Sequence, residues 1–123
     1  MFIALSPTNP DPLYRQVTDR IREAIATGEL APEERLPSIR ELAADLKVSV
    51  ITIKRAYQEL ENGGFILTRP GLGCFVRDLD VRDLRTEKLR ELRTELAGML
   101  RAARKYRIEK ADLIGLIDAI EEE

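Results

Sequence analysis

The chain has 123 residues, 44 % of them apolar and 34 % charged, with a formal net charge of −2. That suffices for one small packed domain plus an appendage, and no apolar run of about 18 residues is present to span a membrane. There is no histidine, so neither an imidazole base nor a histidine-liganded metal site is available. Cys74 stands alone, which rules out an intramolecular disulfide and fits a reducing cytoplasm. No secretory leader pattern opens the chain, and no glycine–lysine phosphate loop occurs. These absences argue against an enzyme, a metal, a cofactor and a membrane partner.

In chain order, Met1 to Pro10 is a short extended lead-in broken by Pro7 and Pro10. Leu13, Tyr14, Val17, Ile21, Ala24 and Ile25 then share one helical face. Asp11 is placed to cap that helix, Pro12 suits its first turn, and Gly28 ends it. Glu29 to Arg35 reads as a loop containing Pro32. Ser38 and Glu41 have capping-box spacing and open a second helix whose apolar face is Ile39, Leu42, Ala43 and Leu46. Lys47-Val48 makes a tight turn into Ser49, the expected N-cap of a third helix.

That third helix, Val50 to Asn62, places Ile53, Ala56, Tyr57 and Leu60 on one apolar face. Gly63-Gly64 closes it. Ile51, Arg55 and Gln58 face the other way, with Thr52 and Lys54 on the flanks. Taken alone, such a helix is an ordinary solvated amphipathic one. The exposed Ile51 beside Thr52, Lys54 and Arg55 also suits a DNA-reading face, since thymine methyls take apolar contacts and Lys or Arg meets guanine or phosphate. Its neighbours favour the second reading. Phe65 to Arg69 and Cys74 to Arg77 are β-rich runs around Pro70-Gly-Leu-Gly73, a hairpin with a glycine-bearing tip. Helix, turn, helix and hairpin in that order are far more specific than any one of them. Charge is distributed accordingly. From Leu46 to Arg77, five basic residues (Lys47, Lys54, Arg55, Arg69, Arg77) stand against two acidic ones (Glu59, Glu61), on a chain that is acidic elsewhere.

After the hairpin the composition shifts to dense alternating charge without proline. Leu89, Leu92, Leu96, Met99, Ala103 and Tyr106 follow alternating spacings of three and four, an a/d seam along one long helix. A shorter helix from about Lys110 carries Leu113, Ile114, Leu116, Ile117 and Ile120 in a band broader than one neighbour requires. The alternatives are a helical hairpin folded onto its own first domain and a symmetric dimer; the seam and the broad band favour the dimer.

The stretch from Leu36 to Val76 resembles the winged helix-turn-helix domain of the GntR family of bacterial transcription regulators. The resemblance rests on Leu36, Pro37, Ser38, Arg40, Leu42 and Ala43, then Val48, Ser49, Thr52 and Ala56, then Leu60 and Gly64, then Gly71, Gly73, Phe75 and Val76. Pro12-Leu-Tyr-x-Gln-Val17 extends it towards the N-terminus. The short tail is similar to that of the YtrA subfamily, whose C-terminal helices dimerise and lack a large effector domain. Three positions depart from the family pattern: Glu33 and Lys47 stand where glycine is usual, and Val50 where arginine is frequent.

The expected architecture is therefore mostly α with a small β-hairpin: a winged helix-turn-helix domain over residues 1–77 and a two-helix dimerisation extension over 78–123. Asp78 to Asp83 is the expected hinge. Ser38, Arg40, Ser49, Val50, Ile51, Thr52, Lys54, Arg55, Arg69, Gly71 and Gly73 are the expected DNA-binding residues. Leu89, Leu92, Leu96, Met99, Ala103, Tyr106, Leu113, Ile114, Ile117 and Ile120 are the expected dimer contacts. The resemblance implies a homodimeric regulator, a repressor by expectation, on a palindromic double-stranded operator. Transporter genes are the implied targets, and an unidentified small-molecule effector the implied signal. The rival reading is a protein-binding winged helix that never meets DNA.

Overall fold

The computed structural model describes residues 3–123, with the backbone alone for Val81. The elements run α1 (Leu13–Ala26), α2 (Ile39–Leu46), α3 (Val50–Asn62), β1 (Ile66–Arg69), β2 (Gly73–Val76), α4 (Val81–Arg104) and α5 (Lys110–Glu121). They divide into two compact units, the first ending at Leu84 and the second spanning Arg85–Glu123.

In the first unit α3 is the centre. Val17, Ile21, Ala24 and Ile25 of α1 are buried in one cluster with Ile53, Ala56, Tyr57 and Leu60 of α3. Leu42 and Ala43 of α2 join that cluster, and α2 and the hairpin both pack on α3. Ile21, Ile53 and Leu60 are completely buried, each side chain contributing about 2 kcal/mol of apolar transfer. The stripe expected for α3 is wholly core, whereas of the α1 stripe Leu13 is exposed and Tyr14 half-buried, and of the α2 stripe Ile39 and Leu46 are half-buried. The hairpin strands pair antiparallel, with Ile66 opposite Val76 and Arg69 opposite Gly73.

Local chemistry sets the helix ends. Ser38 Oγ accepts from Glu41 N at 3.1 Å and Ser49 Oγ from Thr52 N at 3.1 Å, as N-caps do. Three helices finish in Schellman turns. In α2, Val48 N reaches Ala43 O and Lys47 N reaches Ala44 O; in α3, Phe65 N reaches Leu60 O and Gly64 N reaches Glu61 O; in α4, Ile108 N reaches Ala103 O and Arg107 N reaches Arg104 O. The left-handed residue is glycine at Gly64, but lysine at Lys47 (φ 57°) and arginine at Arg107 (φ 57°). Glu33 is left-handed too, at φ 67°. Glu33 and Lys47 stand where the resemblance leads one to expect glycine, and both adopt the left-handed backbone that glycine favours.

Several expectations need correction. The cap of α1 is Pro12, with no side-chain cap bond, so Asp11 does not cap the helix; its carbonyl instead accepts from Gln16 Nε2 at 3.0 Å. Of the lead-in, Met1 and Phe2 lie outside the described residues; the remainder is not simply extended, because it turns where Asn9 N donates to Ser6 O at 3.3 Å, and it places Ile3 in the core. The loop before α2 contributes to the sheet edge: Arg35 bridges Phe75, Leu36 N donates to Cys74 O and Val76 N to Glu34 O. The first unit continues past the expected join after Arg77, since Leu79 and Leu84 pack against its core. Asp80 Oδ1 also accepts from Arg82 N at 2.9 Å. Leu79 thus holds the Asp78 to Asp83 segment to the first unit, and a hinge there would have to release that contact.

In the second unit, Asp112 Oδ2 accepts from Glu109 N at 2.9 Å, helping to start α5. Lys88 and Glu91, three residues apart on α4, pair at 3.5 Å. Of the expected seam, Leu89, Leu92, Leu96, Met99 and Tyr106 are exposed, as are Ile114, Ile117 and Ile120 on α5. Leu113 is half-buried and Ala103 is buried, so Ala103 is already covered within the single chain. α5 buries no residue at all.

A candidate nucleic-acid interface

The outer face of α3 begins at its N-terminus. Val50 is 47 % exposed and Ile51 is 77 % exposed. Lys54 lies one turn further along and is exposed, as is Arg40 in the first turn of α2. Neither makes an ion pair among the described residues. Ser38 and Ser49 stand at the starts of α2 and α3, where unpaired backbone N–H groups favour anions.

Several of the expected contact residues are engaged inside the chain, Thr52 and Arg55 on α3 among them. Thr52 is half-buried and its hydroxyl lies 2.8 Å from Ser49 Oγ, so it belongs to the cap. Arg55 turns back towards α1. Its guanidinium carbon sits 3.8 Å from the centre of the Tyr14 ring, and Nη2 donates to Tyr14 Oη at 3.2 Å. A guanidinium over a tyrosine face is held by the ring's quadrupole, so Arg55 offers a fixed cationic edge rather than a freely reaching one.

The wing supplies the rest. Gly71 is left-handed (φ 75°) with open space around its α-carbon. Gly73 has φ 116°, a conformation that favours glycine, and a side chain there would begin 3.1 Å from Arg35 Nε, so the arginine would have to shift. Arg69 does not hang free: its guanidinium carbon is 4.9 Å from the centre of the Phe75 ring. Thr68 N donates to Glu61 Oε1 at 3.3 Å, tying the wing to α3.

The angle between α2 and α3 has its own fastener. Tyr57 Oη donates to Pro37 O at 2.7 Å from a nearly buried position. Burial pushes the Tyr57 phenol above the ordinary tyrosine range, with Cys74 and Glu41 adding to the shift, so the hydroxyl stays protonated and donating. Sequence reasoning took Tyr57 as core alone and did not single out Tyr14 or Arg35 as partners of the reading face. Tyr14 lay within the N-terminal motif; nothing in the spacing pointed to Arg35.

An exposed helix of this size fits a major groove, and a glycine-tipped hairpin beside it completes the frame of a winged helix-turn-helix DNA-binding transcription regulator. Comparison with known proteins narrows that class. The profile described as bacterial regulatory proteins, gntR family, matches residues 13–76. The HTH-type transcriptional repressor YtrA of Bacillus subtilis is 30 % identical over 98 residues, 80 % of this chain and 75 % of that protein. Among solved structures, a GntR family transcriptional regulator from Listeria monocytogenes gives a TM-score of 0.73 at 30 % identity, covering 90 % of this chain and 96 % of that one. The DNA-binding domain of AraR in complex with operator ORX1 gives 0.54 at 30 % identity, covering 60 % of this chain and 92 % of that one. The chain belongs to the GntR family of bacterial transcription regulators. Within that family it is YtrA-like, a regulator and not an enzyme.

Proposed function

We propose that this chain is a cytoplasmic repressor that binds a palindromic operator as a homodimer, held together by α4 and α5. The observation that carries this reading is the aliphatic surface of the second unit. Leu89, Leu92, Leu96 and Met99 on α4, with Ile114, Leu116, Ile117 and Ile120 on α5, are all exposed in the single chain. An apolar surface of that extent calls for a partner, and a second copy covers it by symmetry. Two copies of α3 set about 34 Å apart then meet successive major grooves of an inverted repeat. Arg40, Lys54, Arg69 and the wing glycines Gly71 and Gly73 would make phosphate and groove contacts, with Ser38 and Ser49 near phosphates.

The naming of YtrA as a repressor and the AraR–operator complex support repression by occupancy. Transporter genes as targets, and release by an unidentified small-molecule effector, rest on the resemblance and belong to the same proposal. Sedimentation of the full chain at micromolar concentration, followed by a mobility-shift assay on DNA upstream of its own gene, tests the reading. A dimer that binds one site with steep salt dependence is the expected result. Monomers, or binding without sequence preference, would overturn it.

A further inference from the structure

The winged unit exposes few large apolar side chains, and two of them, Val50 and Ile51, are adjacent at the start of α3. The polar groups that would otherwise read bases from this turn are committed elsewhere. The Thr52 hydroxyl is bound to Ser49 Oγ, Ser49 Oγ also accepts from Thr52 N, and the Arg55 guanidinium is stacked on Tyr14. What the first turn presents outward is an aliphatic pair with the ammonium of Lys54 one turn beyond. In the major groove the one apolar group on a base edge is the 5-methyl of thymine.

We propose that Val50 and Ile51 read thymine 5-methyl groups, so that each operator half-site is recognised through one or two methyls rather than through hydrogen bonds from this turn. This rests on the DNA-binding reading above and specifies its base chemistry. The charge beside the pair fits that occupant: Lys54, exposed one turn along the same helix, attracts the phosphates that flank an apolar base edge, whereas an apolar protein partner would meet its uncompensated charge.

The test selects a preferred duplex from random double-stranded DNA with the full chain. Each thymidine of the half-site is then replaced singly by deoxyuridine, which keeps base pairing and removes only the methyl. One or two replacements per half-site should weaken binding about fourfold each, and that loss should vanish in Ile51→Ala or Val50→Ala, whose exposed positions leave folding intact. A selected duplex that tolerates every replacement within twofold overturns the methyl reading while leaving the regulator standing. So does a loss of equal size in wild type and both variants. Failure to enrich any sequence overturns the DNA-binding reading itself, and this inference with it.

Discussion

Replacing Tyr57 by phenylalanine removes a single oxygen from the joint between α2 and α3. The ring stays in the core, so the apolar contribution is unchanged. What is lost is the 2.7 Å bond to Pro37 O, and that carbonyl is left without the donor in a half-buried setting. A lost hydrogen bond with a stranded acceptor costs about 1.5 kcal/mol. For a cooperative unit of this size that corresponds to a melting point roughly 6–12 °C lower. The cost also depends on pH in a definite direction. Burial raises the Tyr57 pKa in the folded chain, whereas the unfolded phenol titrates near ~10. Above about pH 10 the unfolded chain releases that proton while the native one keeps it, so wild-type stability falls as pH rises; below that value the contribution is complete. The phenylalanine variant has no such proton, and the gap between the two proteins should narrow above about pH 10. Thermal melts followed by circular dichroism between pH 7 and 11 would show it. A variant that melts within 2 °C of wild type at pH 7, or a gap that widens in alkali, would refute the reasoning.

Other expectations follow from the same geometry. Leu92→Glu with Leu96→Glu places two carboxylates on the exposed seam of α4; light scattering should find monomers, while the winged unit keeps its fold and operator binding weakens by about a hundredfold or more as the second half-site is lost. Arg40→Ala should weaken binding across all sequences and lower the slope of log affinity against log salt by about 1, read from anisotropy titrations at several salt concentrations. Lys47→Gly relieves a left-handed lysine, and chemical denaturation should report a gain of about 0.5–1 kcal/mol; a loss would mean that the lysine stem contributes packing there. Tyr14→Ala frees the Arg55 guanidinium and should cost about 1 kcal/mol of stability, whereas Tyr14→Phe, which keeps the ring face, should cost less.

Much of this protein was legible along the chain because the signals are local. Ser38, Ser49 and Gly64 mark helix ends through bonds spanning three to five residues, and the α3 stripe of Ile53, Ala56, Tyr57 and Leu60 is a matter of helical period. Glycines at Gly71 and Gly73 mark the wing for the same reason. The turn at Lys47-Val48 is legible, but the left-handed turn at Arg107 is not, because a Schellman turn is read through glycine and arginine does not announce it.

Contacts between distant positions were decided by tertiary structure alone. Arg55 meets Tyr14 only after α1 has packed on α3, and Tyr57 meets Pro37 only after α2 has docked. Arg35 comes beside Gly73 once the loop before α2 has paired with β2. The first of those contacts holds the Arg55 guanidinium against Tyr14 beside the outer face of α3, a placement that helical period alone does not give. Periodicity assigns a residue to a face of its own helix, but which partner waits on that face is settled by chain segments far away in sequence.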